Sequence, residues 1–237
     1  MMPDALHLSR LTLKRSAEIA PLINVLRPAA HHDRIEVDHR LLWTAMTDKI
    51  QARQSEGAAP FLWRRDEKPG RYFMLGPKPR VDSAFFEIES KPFEVRLASG
   101  DRLEFVLRVN ATVDRRAGGR DGSRTRSDVA MDLLRHIAQA ERAERRQALA
   151  EKAARDWLAT RSEASGFALD ALHLDGYRAV VITRNPHKTG RIGVFDLRGL
   201  LTVTDPAAFV GRLSTGFGRA KAFGCGLMLI RRAVSAA

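Results

Sequence analysis

The N-terminal stretch LHLSRLTLKR, Leu6 to Arg15, alternates apolar and polar positions, the period-two pattern of a strand with one buried face. In VDHRLLWTAMTDKI the apolar residues Val37, Leu41, Leu42, Ala45 and Ile50 recur at near three- to four-residue spacing. That spacing predicts a helix, with Asp38 as its N-cap. FLWRRDEKPGRYFML is two apolar runs around Glu67-Lys68-Pro69-Gly70, a hairpin signal, and KPFEVRLASGDRLEFVLRVNATV predicts a second strand pair around Ser99-Gly100-Asp101. A strand, a helix and then several strands describe an α+β domain over residues 1–113.

The pattern breaks at DRRAGGRDGSRTR, Asp114 to Arg126, where five arginines and three glycines leave little apolar surface to bury. Residues 114–127 are therefore expected to form a basic linker or mobile loop. A helical stretch follows to about Arg161, charged in its middle but carrying Leu149, Ala153 and Trp157 at i, i+4, i+8. After Gly166 strand patterns return: YRAVVITRN and RIGVFDLRGLLTVTD flank Pro186-His187-Lys188-Thr189-Gly190. DPAAFVGRLSTG predicts a short helix with Asp205 as N-cap, Pro206 in the first turn and Gly216 as terminator. GLMLIRRA closes the chain as a strand. Residues 128–237 thus form a second α+β domain of similar size.

Composition adds a direction. Of 237 residues, 44% are hydrophobic and 29% charged, so a buried core is within reach. Lysine and arginine outnumber aspartate and glutamate by 40 to 28, a formal charge of +12 that attracts polyanions, nucleic acid first among them. Cys225 is the single cysteine, which rules out an intramolecular disulfide and a cysteine zinc cluster and suits a reducing compartment. With no apolar run of about 18 residues and no signal-peptide core at the N-terminus, the chain is expected to be soluble, cytoplasmic and free of membrane contact.

The most concentrated chemistry lies in GFGRAKAFGCGL, Gly216 to Leu227. A Walker-type phosphate loop needs a Ser or Thr after its lysine, but Ala222 follows Lys221. The dinucleotide fingerprint needs glycine where Lys221 stands, and the order helix–loop–strand is the reverse of both motifs. What survives is either a loop whose glycines let backbone approach an anion, with Arg219 and Lys221 supplying charge, or a tight turn between helix and edge strand.

FDLRGLLTVTDPAAFVGRLSTGFGRAKAFGCGLMLI resembles the C-terminal region of the CasE family, the CRISPR-RNA-processing endoribonucleases of the type I-E Cascade complex. The likeness continues in LSRLTL, DHRLLW, FVLRVNAT, RSDVAMDLL and ARDWLATRSEASGF, in family order over most of the chain. The resemblance implies two tandem ferredoxin-like domains, each related to an RNA-recognition module. It also implies metal-independent cleavage of CRISPR repeat hairpins by 2′-hydroxyl attack, leaving a cyclic phosphate and a 5′-hydroxyl. The product hairpin would stay bound within Cascade, so the implied partners are the repeat RNA and the other Cascade subunits, and no cofactor or metal is called for.

The family's helix histidine falls on His39, near a helix start that favours developing negative charge. Histidine there serves as general acid or base. Where many members carry tyrosine three residues earlier, this chain has Glu36, as a base, an orienting group or a solvated residue; Tyr72 and Tyr177 are its only tyrosines. His31 and His32 form a weak metal signal. The turn RNPHKTGR resembles the basic hairpin that family members press against the RNA stem, which implies RNA contacts from Arg184, Lys188 and Arg191. The glycine-rich loop implies further contacts from Gly216, Gly218, Arg219, Lys221, Gly224 and Gly226. Arg108, Arg115, Arg116, Arg124 and Arg126 are additional candidates for phosphates. A catalytically silent subunit that caps a guide RNA would share this basic face and differ only around His39.

Overall fold

The computed structural model describes residues 5–16, 35–46, 59–116, 124–185 and 188–233. The first unit runs β1 (His7–Leu13), α1 (Ile35–Trp43), β2 (Leu62–Arg65), β3 (Arg71–Gly76) and β4 (Phe86–Pro92). These four strands form an antiparallel sheet in the order β2-β3-β1-β4. The alternation read in the N-terminal stretch is what lets β1 sit at the sheet centre: Ser9, Leu11 and Leu13 turn inward while their neighbours stay half-exposed. The β2–β3 hairpin turns through Gly70 at φ 76°. Residues 77–85 form turns, so α1 is the one helix of this unit among the described residues.

The remainder comprises β5 (Arg102–Val109), β6 (Thr112–Arg116), β7 (Arg124–Asp128), α2 (Val129–Leu134), α3 (Arg142–Ser162), β8 (Phe167–Asn185), β9 (Lys188–Val203), α4 (Pro206–Thr215) and β10 (Met228–Arg232). A second antiparallel sheet has the order β10-β5-β9-β8. Ranked within its own unit, each sheet places its first strand at the centre, and with the helices the fold is α+β, a tandem of ferredoxin-like units. On the helical side Leu103, Phe105, Leu107 and Val109 pack against Ala150, Ala154, Trp157 and Leu158 of α3 and Phe209 and Leu213 of α4. Asp205 caps α4, its carboxylate accepting from the Ala207 and Ala208 amides at 3.0 and 3.1 Å.

The structure differs from the sequence pattern at the junction. β4 and β5 do not pair with each other across Ser99-Gly100-Asp101; β4 pairs with β1, and β5 lies between β9 and β10. The chain therefore crosses between sheets at residues 93–101, and β5 opens the second unit instead of closing a domain at residue 113. Period-two alternation marks a strand without naming its partner. The stretch expected as a linker also has ordered ends: β6 and β7 pair antiparallel, and Arg126 faces Asp114 across them at 2.6 Å.

The long β8–β9 hairpin joins the units. Its far half delivers Val180, Ile182 and Val194 into the cluster built by Leu11, Leu41, Leu42, Trp63 and Tyr72 of the first unit. Each such fully buried apolar side chain stabilises by roughly 1.5–3 kcal/mol, so this contact fixes the two sheets against one another.

Candidate functional site

Helix α1 is anchored by a buried acid. Asp38 is fully buried, and its carboxylate accepts a hydrogen bond from Tyr72 Oη at 2.8 Å and an ion-paired one from Arg65 Nε. The helix has already begun at Ile35, so Asp38 sits inside its first turn and ties it to β2 and β3 instead of capping it. A buried carboxylate is tolerated only with such partners. His39, one position on, is turned by about 100° around the helix and lines an open cleft.

The His39 ring is half-buried among aromatic side chains. Trp63 stacks at 6.4 Å between centroids, Phe61 lies at 5.6 Å, and Trp43 meets it edge-on at 6.0 Å. Trp43 Nε1–H donates to His39 Nε2 at 3.1 Å. An indole nitrogen can only donate, so Nε2 must carry the lone pair and the resting ring holds its proton on Nδ1. Burial lowers the His39 pKa from its usual value, because the charged ring loses hydration. The tilt and tautomer of this histidine are thus set four residues further along its own helix.

The cleft has a volume of about 1070 Å³ and lies where α1, the β6–β7 ribbon, the β8–β9 hairpin and the loop before β10 converge. Glu36, one turn before His39, lines it, as do Arg40, Arg191, Arg219 and Lys221. Six sequence-predicted candidates, Glu36, His39, Arg126, Arg191, Arg219 and Lys221, therefore meet at one place although they span most of the chain. Among the described residues no carboxylate pairs with Arg40, Arg191 or Arg219, whereas Arg126, which also lines the cleft, is held by Asp114, and arginines away from it, such as Arg10, Arg71 and Arg198, hold such partners too. Unpaired cations around a concave surface concentrate positive potential there.

In the glycine-rich loop the direction a Cβ would take is occupied by protein. Gly216, Gly218, Gly224 and Gly226 all have positive φ, between 65° and 97°, and their surroundings are protein. A Cβ on Gly218 would stand 2.6 Å from Val109 Cγ2 and 2.7 Å from the Asn110 carbonyl; one on Gly216 would stand 2.7 Å from Leu62 Cδ1. Gly216, Gly224 and Gly226 are buried. These glycines let the loop lie against β5 and β2, and the charge is presented by Arg219 and Lys221 alone. Arg219 is exposed, with its amide donating to the Asn110 carbonyl at 3.1 Å. Lys221 Nζ donates to the last carbonyl of α4, Thr215, at 2.6 Å, the negative end of that helix. Burial, and then the charge of Arg212, lowers its pKa. Cys225 within the loop is fully buried and its thiol is pushed up to about 12 by burial, so it packs and does not react.

Other expected phosphate contacts lie elsewhere or are engaged. Arg108 is half-buried and grips Asp196 through Nε and Nη2 at 2.6 and 3.0 Å, which makes it a tie between β5 and β9. Arg115 is held by Asp132 at 2.6 Å and Arg126 by Asp114. The side chains of Arg116, Arg124, Arg184 and Lys188, and the residues His31 and His32, lie outside the described residues. Tyr177 hydrogen-bonds Asp128 at 2.9 Å, and burial raises its pKa. Sequence reasoning passed over Arg40, although its place beside His39 on a helix was the available signal. It also passed over Asn110, whose buried amide donates to the Gly193 carbonyl at 2.7 Å and whose carbonyl holds the loop. Nothing in its sequence context marks that role.

A family profile described as "CRISPR associated protein" matches residues 6–232. The chain belongs to that family. Among solved structures, CRISPR endoribonuclease Cse3 bound to a 19-nucleotide RNA is 23% identical, with a TM-score of 0.62 over 96% of this chain and all 100% of that one. Thermus thermophilus Cse3 bound to an RNA representing a pre-cleavage complex is 22% identical, with a TM-score of 0.61 over 96% of this chain and 99% of that one. The Escherichia coli protein Cas6e is 21% identical, with a TM-score of 0.60 over 96% and 100% of the two chains. Likeness at this identity establishes a shared fold; chemistry resides in the side chains of the site. No curated protein matches by sequence. No helix among the described residues is long and apolar enough to cross a membrane.

Proposed function

We propose that this member of the CRISPR associated protein family is an endoribonuclease that cuts the repeat hairpin of CRISPR transcripts and keeps hold of the product hairpin within a Cascade complex. The observation that carries this reading is the convergence of His39 with Arg40, Arg191, Arg219 and Lys221 on one cleft between the two ferredoxin-like units. RNA hairpins are recognised through shape and phosphates, which arginines without a carboxylate partner among the described residues suit. The RNA-bound state of the Cse3 neighbours supports the same ligand class.

In the proposed reaction the 2′-hydroxyl next to the scissile bond attacks the phosphorus, the bond to the 5′-oxygen breaks, and a cyclic phosphate and a 5′-hydroxyl result. No metal enters this scheme. A phosphate in the cleft opposes the effect of burial on His39 and favours the imidazolium, formed by protonation of Nε2 with release of the Trp43 hydrogen bond; the imidazolium protonates the leaving 5′-oxygen and returns to the neutral ring. Glu36, on the same helix and the same cleft, receives the 2′-hydroxyl proton. Arg191, Arg219 and Lys221 neutralise the charge that builds on the phosphorane. Incubating the cognate repeat RNA with wild type and with His39→Ala in EDTA tests the proposal. Wild type should cut to a cyclic phosphate end and the variant should bind without cutting. Equal cutting by both would remove His39 from the reaction, and tight binding without cutting by either would make the chain a silent capping subunit.

A further inference from the structure

Beside the cleft, and sharing Thr112 and Arg219 with it, lies a second concavity of about 450 Å³. It contains Arg161, in the last turn of α3, and Arg212, in the last turn of α4. Each guanidinium is laid on an aromatic ring: Arg161 Cζ is 4.4 Å from the Trp157 centroid and Arg212 Cζ is 5.8 Å from that of Phe217. Their hydrogen bonds go to neutral groups. Arg161 Nη1 donates to the Trp157 carbonyl at 2.7 Å and to Thr160 Oγ1 at 3.0 Å, and Arg212 Nε donates to Ser165 Oγ at 3.1 Å. Among the described residues neither is paired with a carboxylate. The acid that lines this concavity, Asp114, is taken up by Arg126 at 2.6 Å.

Two like charges held on rings within one hollow, with no anion of the protein to meet them among the described residues, form an incomplete arrangement. Each repels the other, as the lowered Arg161 pKa reflects: burial is its larger cause and the Arg212 charge the second. Dipoles at the two helix C-termini favour cations there, but a dipole end does not require the two to share a hollow. Continuity supplies the ligand. Arg219 and Thr112 line both this hollow and the cleft that holds His39, so a phosphate chain leaving the cleft over Gly218 and Arg219 runs directly onto Arg212 and Arg161.

We infer that Arg161 and Arg212 form a second phosphate-binding subsite that holds the single-stranded RNA flanking the hairpin bound in the cleft. The inference rests on the proposed RNA function and extends it: recognition includes a flanking segment read by charge and not by base sequence. Planar guanidinium groups pre-positioned on rings suit phosphate oxygens, which accept bidentate bonds.

The test compares two RNAs, the cognate repeat hairpin alone and the same hairpin with its native single-stranded flanks, at several salt concentrations. Proteins are wild type, Arg161→Gln/Arg212→Gln, and Arg161→Lys/Arg212→Lys. Wild type should bind the flanked RNA more tightly, and with a log K against log [salt] slope steeper by about 0.7 for each flank phosphate engaged. The glutamine variant should lose that increment in affinity and slope while binding and cutting the bare hairpin as wild type does. The lysine variant should recover part of it. A thermal melt of each protein separates a folding defect from a binding defect, since misfolding weakens binding of both RNAs alike. A glutamine variant that keeps the full flank increment overturns the subsite and leaves the proposed function standing. Wild type that binds neither RNA overturns both.

Discussion

Replacing Trp43 by phenylalanine removes one hydrogen bond from the chemistry of His39 and keeps most of the packing. The indole N–H donates to Nε2 at 3.1 Å, and that bond exists only while Nε2 is unprotonated. It therefore stabilises the neutral ring selectively, in the same direction as burial. A neutral hydrogen bond of this kind contributes about 0.5–1.5 kcal/mol, so at a fixed pH the ratio of imidazolium to imidazole should rise roughly 2- to 12-fold in Trp43→Phe. Ring-proton NMR titration measures it, with the His39 signal identified among seven histidines by its loss in His39→Ala. The midpoint should move upward, and the alkaline limb of the cleavage profile, where the general acid loses its proton, should move with it. Because loosening the aromatic enclosure also moves the midpoint upward, Phe61→Leu serves as the control: Phe61 touches the same ring without a polar group. A midpoint in Trp43→Phe that stays in place, or moves no further than in Phe61→Leu, would refute the assigned tautomer. Stability is linked to the same proton. A histidine whose folded pKa is depressed stabilises the fold above its unfolded value, about 6.5, and that contribution is lost as pH falls through the folded pKa.

Arg191→Ala and Arg219→Ala should each weaken repeat-RNA binding across sequences and flatten the salt slope by about 0.7–0.9, read by fluorescence anisotropy, with unchanged melting temperature. Gly218→Ala places a Cβ 2.6 Å from Val109 Cγ2 at φ 65°, so it should destabilise by about 1–3 kcal/mol. For a chain of this size, that is a melting temperature lower by about 2–4 °C per kcal/mol. Asp196→Asn takes the charged partner from Arg108 and should cost about 1.5–3 kcal/mol in urea unfolding while leaving RNA affinity intact below the transition. A loss of affinity without a loss of stability would return Arg108 to the RNA-binding surface.

Local order was legible in the chain itself. The alternation of β1, the hairpin through Gly70, and the capped helix from Asp205 to Gly216 depend on residues close in sequence, whose backbone preferences act before any tertiary contact forms. The basic excess and the position of His39 on a helix were likewise readable. Partnership was not. Whether β5 pairs with β4 or lies between β9 and β10 depends on surfaces far apart in sequence, and alternating sequences fit either. Asp38 carried the composition of an N-cap and became a buried anchor because Tyr72 and Arg65 arrive from another strand pair. Charge shows the same divide most plainly. Sequence counts arginines alike, but an arginine beside an aspartate on a neighbouring strand, as Arg108 is, has its field cancelled locally. Arg40, Arg191 and Arg219 acquire theirs because folding gathers them around one cleft and pairs none of them with an acid among the described residues.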